Sequence, residues 1–148
     1  MKPNTPNQNP RLCLIPKAQS LIPMIEFTSC LHVAIMVSNL DRSIEFYSNI
    51  LGLKKVDRDL KYPGIWYQIG DLQIHLIEAL NYQPNVEIDL FKSTRNPHIA
   101  LGVRDLEAAK QQLLAANCVV KMSNSGRAAL FTQDPDGNAI ELTLVAAE

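Results

Sequence analysis

The sequence predicts an α+β fold in which two βαβββ units form a curved eight-stranded mixed sheet with helices outside. Three observations predict it. First, the 148-residue chain resembles itself at an offset of 66 residues: 31–41 (LHVAIMVSNLD) lands on 97–107 (PHIALGVRDLE), with His32 on His98, Ala34 on Ala100, Val37 on Val103 and Leu40 on Leu106. Second, the same offset, without a net gap, carries Ile74-His75-Leu76 onto Ile140-Glu141-Leu142. Third, both copies read as the same order of elements.

In the first copy, 31–37 alternates and is partly β-branched, which is a strand pattern. Asp41 is placed to cap a helix whose apolar stripe is Ile44, Tyr47 and Leu51, and Gly52 stops it. Strands are expected at 53–58, 65–69 and 72–78. In the second copy a strand at 99–103 leads to a helix capped by Asp105, with Leu106, Ala109 and Leu113 as its stripe, and strands follow at 118–122, 128–132 and 139–145. Residues 28–79 and 96–146 are therefore the two units, 80–95 a linker, and 28–146 one domain of ordinary size. Residues 1–27 contain five prolines and no sustained periodicity, and read as a disordered or loosely packed arm.

Composition excludes several functions. Formal net charge is −1 and basic residues do not cluster, so no nucleic-acid partner is expected. No apolar run approaches the ~18 residues of a membrane helix. Cys13, Cys30 and Cys118 are odd in number and follow no framework spacing, which points to a reducing, cytoplasmic setting.

Strand alternation then locates a candidate site. If Val33, Ile35 and Val37 face the helix, His32, Ala34 and Met36 face away. The same parity turns His98, His75 and Glu141 away from the helices. His32 to His75 spans 43 residues, as does His98 to Glu141, and all three histidines of the chain occupy repeat-related positions. Two curled units related by a pseudo-twofold would bring these faces together. Three imidazoles and a carboxylate suit one borderline divalent ion: Zn, Fe(II), Ni, Co or Mn. Parity also places Arg127 and Phe131 on the cavity face, with Met36 near His32. One or two of Trp66, Tyr67 and Gln68 should line the cavity, and Arg127 is placed either to hold a substrate carboxylate or phosphate or to brace the turn in solvent.

The stretches LHVAIMVSNLDRSIEFYSNILGL and FTQDPDGNAIEL resemble the vicinal oxygen chelate superfamily, which includes glyoxalase I, bleomycin-binding proteins and extradiol dioxygenases; the resemblance covers about residues 29–146. It implies metal ligands at His32, His75, His98 and Glu141, and a small-molecule substrate chelated through neighbouring oxygens with stabilisation of an enolate-like intermediate. Glu141 or His75 would move the proton. It further implies a homodimer, with the two units paired within one chain or swapped between two. Glyoxalase I-like members usually carry Glu where this chain has His75, so the site here bears a formal charge of +1. The leading expectation is a lyase or isomerase of the glyoxalase I kind. An Fe(II)-dependent extradiol dioxygenase is a second expectation, using His32, His98 and Glu141 with His75 as acid-base; its tyrosine helper is replaced by Phe131. A non-enzymatic drug-binding resistance protein is a third.

Overall fold

The structure is a computed structural model and describes residues 24–84 and 96–146. Most of the expected N-terminal arm, and linker residues 85–95, lie outside the described residues.

Among the described residues, eight strands and the helical segments follow the order the repeat demands, one strand, a helix and three strands in each unit. The first unit comprises β1 (His32–Val37), α1 (Leu40–Ile44, continuing through a wider turn over Glu45–Ile50), β2 (Lys54–Val56), β3 (Gly64–Ile69) and β4 (Leu72–Glu78). The second comprises β5 (His98–Val103), α2 (Leu106–Ala115), β6 (Lys121–Met122), β7 (Ala129–Gln133) and β8 (Ala139–Leu144). The strands divide into two four-stranded sheets, ordered β1-β4-β3-β2 and β5-β8-β7-β6. In each, the edge strand carrying the first histidine runs parallel to the strand carrying the later ligand candidate; the other pairings are antiparallel.

The expected single eight-stranded sheet is thus two sheets, because β1 and β5 are not joined by backbone hydrogen bonds among the described residues. The Met36 carbonyl on β1 instead accepts from the Asn138 side chain at 3.2 Å. A side chain has taken a place that a neighbouring strand would fill.

Local chemistry explains the helices. Asn39, not Asp41, caps α1: its side chain accepts from Arg42 N at 2.9 Å, and Asp41 falls in the first turn. Asp105 caps α2 as expected, accepting from Ala108 N at 2.9 Å. Where Glu45–Ile50 widens to i→i+5 bonding, Leu51 N reaches Phe46 O at 2.8 Å. This rotates the buried stripe so that Phe46 and Tyr47 are buried, while Ile44 and Leu51 lie at its margin. Gly52, at φ +70°, then ends the helix in the left-handed region that glycine adopts without a Cβ penalty.

One continuous core joins the two units. Ile35, Val37, Ile65, Tyr67, Ile74 and Leu76 of the first pack in the same cluster as Leu101, Leu113, Leu130, Ile140 and Leu142 of the second. Apart from Leu113 on α2, these are the helix-facing positions of the strands, so the units meet through their helix-bearing sides. Leu144, which strand alternation places on that side, is half-exposed at the end of β8.

The 134–138 turn locks the junction. Asp134 accepts from Tyr47 Oη at 3.0 Å, from Asn138 N and Asn138 Nδ2 at 2.8 Å, and from Asp136 N at 2.9 Å. Asp136 accepts from Ser38 N at 3.0 Å and from the Ser38 hydroxyl. Burial still raises the Asp134 carboxyl above its ordinary value, while these donors hold it down.

Candidate metal centre

The four ligand candidates lie on strand faces that the core leaves free, as two pairs. In the first unit, register sets His32 beside Gln73 and Ala34 beside His75, so the two histidines are diagonal neighbours on adjacent strands. Trp66 lies directly opposite His75 on β3. Its indole stacks on the His75 ring with centroids 4.0 Å apart, while His32 meets it edge-on at 5.1 Å. The His75 side chain is buried, and its Nε2 has no hydrogen-bond partner among the described residues. Burial lowers its pKa from the usual histidine value, and the His32 and Arg58 charges act in the same direction. The neutral ring, with a lone pair to offer, is the favoured form.

In the second unit the same register sets His98 beside Ala139 and Ala100 beside Glu141. Here the diagonal neighbours touch: His98 Nε2 is 3.0 Å from Glu141 Oε2. His98 Nδ1 lies 2.7 Å from the Asn96 carbonyl, which can only accept, so Nδ1 carries the proton. A nitrogen and a carboxylate oxygen therefore converge on one place. Glu141 is only 2% exposed. Its Oε1 accepts from Thr143 Oγ1 at 2.8 Å and pairs with Arg127 Nη2 at 3.1 Å. Phe131, opposite Glu141 on β7, meets His98 edge-on at 5.5 Å.

The other predicted residues are placed as follows. Trp66 and Gln68 share the His75 face, but Gln68 is spent on the turn after β3, donating to Gly70 O at 2.6 Å. Tyr67 is not on that face: it lies fully buried in the core, its hydroxyl 2.7 Å from Ser48 Oγ, because β3 parity turns Ile65 and Tyr67 towards the helix. Met36 is exposed at the β1 edge. It borders a cavity of about 470 Å³ that also touches His98 and Asn138 but not His32, His75 or Glu141. Sequence reading missed Arg58, whose guanidinium lies 4.2 Å from the Trp66 ring centre and donates to Gln73 at 2.6 Å. It also missed Thr143, although that residue is two positions from Glu141 and so on the same strand face.

A Glyoxalase/Bleomycin resistance protein/Dioxygenase superfamily profile matches residues 29–142. The chain belongs to this superfamily. A Vibrio cholerae protein named "Probable lactoylglutathione lyase" is 32% identical over 121 residues, covering 76% of this chain and 87% of its own. The Serratia marcescens protein named glutathione transferase FosA is 33% identical over 116 residues, covering 75% and 77%. The structure of the trypanothione-dependent Leishmania major glyoxalase I superposes with a TM-score of 0.61, at 26% identity over 80% of this chain and 87% of that one. Relatives in the superfamily are thus named as enzymes.

The donors suit the divalent ions associated with the superfamily. A neutral buried imidazole with an orphaned Nε2, a second imidazole whose Nδ1 is committed to a carbonyl, and an anchored carboxylate are the donor set that a borderline ion takes. Among the described residues of one chain, however, no three such groups gather around a single point.

Proposed function

We propose that this protein is a divalent-metal-dependent lyase or isomerase of the glyoxalase I type, acting on a small substrate carried on a thiol such as glutathione. The observation that carries the proposal is the His98–Glu141 pair, aimed at one place and anchored from behind by Asn96 and Thr143. The thiol follows from the relatives named lactoylglutathione lyase and glutathione transferase.

His32, His75, His98 and Glu141 would hold the ion, and the ion would supply Lewis acidity towards two neighbouring substrate oxygens. Glu141 moves the proton between substrate carbons, since its carboxylate is fixed by Thr143 and shielded by its burial. His75 is the alternative proton carrier, with its unpartnered Nε2. Trp66 and Phe131 wall the two half-sites with apolar surface and limit water.

A second copy of the chain completes the site. The first unit of one copy faces the second unit of the other, so that each dimer has two centres. Two features support this: the pairs stand apart within one chain, and the histidine-bearing faces of edge strands β1 and β5 are exposed.

Two measurements test the proposal: metal content, and conversion of a glutathione–α-oxoaldehyde thiohemiacetal to the hydroxyacyl thioester. Purified protein should hold Zn, Ni or Co in near-stoichiometric amount and turn this substrate over. His98→Ala should lose the metal and, with it, at least ~100-fold of activity. Unchanged metal content in that variant would defeat the ligand assignment, and iron with oxygen uptake on a catechol would move the protein to the dioxygenases.

A further inference from the structure

We propose that Arg127 is a displaceable counter-ion for Glu141: its guanidinium and the metal ion compete for the same buried carboxylate, and Arg127 thereby sets how tightly the metal is held. The inference rests on the metal-site reading above and adds a residue that opposes it.

Arg127 lies just before β7, on the side of the sheet that carries Phe131 and Glu141. Its Nη2 is 3.1 Å from Glu141 Oε1, while its Nε donates to Ser125 Oγ at 3.2 Å. The two ends of this ion pair differ in surroundings. The Glu141 side chain is 3% exposed, and the Arg127 side chain is 59% exposed. A carboxylate so far from water needs a positive partner, whereas an exposed guanidinium is well solvated with or without one. The arginine can therefore leave and the glutamate cannot be left alone.

Thr143 and His98 stay with Glu141 from its own sheet, on β8 itself and on the adjoining β5. Arg127 instead enters from the loop that follows β6, where Gly126 adopts φ +79°. Among the described residues it is the one of Glu141's polar partners His98, Thr143 and Arg127 that is not part of a strand. A divalent ion a few Å from a fixed guanidinium meets two charges' worth of repulsion, so binding the metal and retaining the Arg127 contact oppose each other.

The test is Zn²⁺ or Ni²⁺ alone, titrated against a colorimetric chelator, with wild type, Arg127→Ala, Arg127→Gln and Arg127→Lys. Removing the charge should tighten metal binding about tenfold at low ionic strength in the Ala and Gln variants, and the gap should narrow in high salt. Lys should bind as wild type does. Thermal melting adds a signature that a merely structural arginine lacks. Without metal, Arg127→Ala and Arg127→Gln should melt several degrees below wild type; with saturating metal the difference should vanish. Equal or weaker metal binding in the neutral variants overturns the counter-ion role while leaving the metal site intact. A wild type that takes up neither ion overturns the metal-site reading itself.

Discussion

At the scale of single residues, the polar contacts of the junction make the sharpest prediction. Tyr47 is fully buried, donates to Asp134, and has a pKa raised well above the usual tyrosine value, chiefly by burial and then by the Asp134 charge. In the unfolded chain Tyr47 ionises near its ordinary value of about 10. A raised folded pKa means that the native state keeps a proton the unfolded state has lost, so stability is full below that value and declines as pH rises through and beyond it. Tyr47→Phe should therefore cost about 1–2 kcal/mol at pH 7, because Asp134 loses a donor. It should also flatten the fall in urea stability above pH 10. An equally steep alkaline fall in the Phe variant would place the titration elsewhere. Much of the candidate site was legible at this scale. Repeat and parity put His32, His75, His98 and Glu141 on the free faces. Arg58 was not legible, because it lies in the loop after β2, where no period dictates which way a side chain turns. Tyr67 was ambiguous for a related reason: the short Ile69–Gly70–Asp71 turn carries no signal comparable to the 134–138 turn from which strand parity can be counted.

At the scale of elements, boundaries came through where a period was strong. β4 is the expected 72–78 strand, and β1, β3, β5 and β8 agree within a residue at each end. β6 shrinks to Lys121–Met122 and β2 to Lys54–Val56, both edge strands with a single neighbour to define them. The widened turn in α1 was invisible, since an i→i+5 bond leaves no mark in a 3.6-residue pattern. The pairing of β3 with β4 depends on an unremarkable-looking residue. Gly64 begins β3, and a Cβ there would lie 2.7 Å from the Leu76 carbonyl and 3.3 Å from His75 Nε2. A backbone oxygen cannot yield as a flexible side chain can. Gly64→Ala should force the two strands apart and cost about 1–3 kcal/mol, read as a lowered thermal midpoint. It should also disturb the Trp66–His75 stack, seen as changed indole fluorescence. A variant with unaltered midpoint and fluorescence would show that the sheet accommodates the methyl group freely.

At the scale of the whole molecule, the repeat specified two half-sites but not how they meet. Hydrophobic alternation says which face of a sheet is buried; it does not say whether two bare faces oppose each other in one chain or across two. Within the chain, the shared core ties the helix-bearing sides together and leaves the His32–His75 and His98–Glu141 pairs on surfaces outside that core. A dimer that joins the first unit of one copy to the second unit of the other has a consequence that no intrachain site shares. A His32→Ala/His75→Ala chain lacks only the first half, and a His98→Ala/Glu141→Ala chain lacks only the second. Each homodimer has two crippled centres. A heterodimer of the two has one centre with all four donors and one with none. Co-refolding equal amounts should therefore restore metal binding to about one centre for every four chains, because half the dimers formed at random are mixed and each regains one of its two sites. The parent variants alone should stay near zero. If both units of a site belonged to the same chain, mixing would restore nothing, since every site would still lack two of its donors.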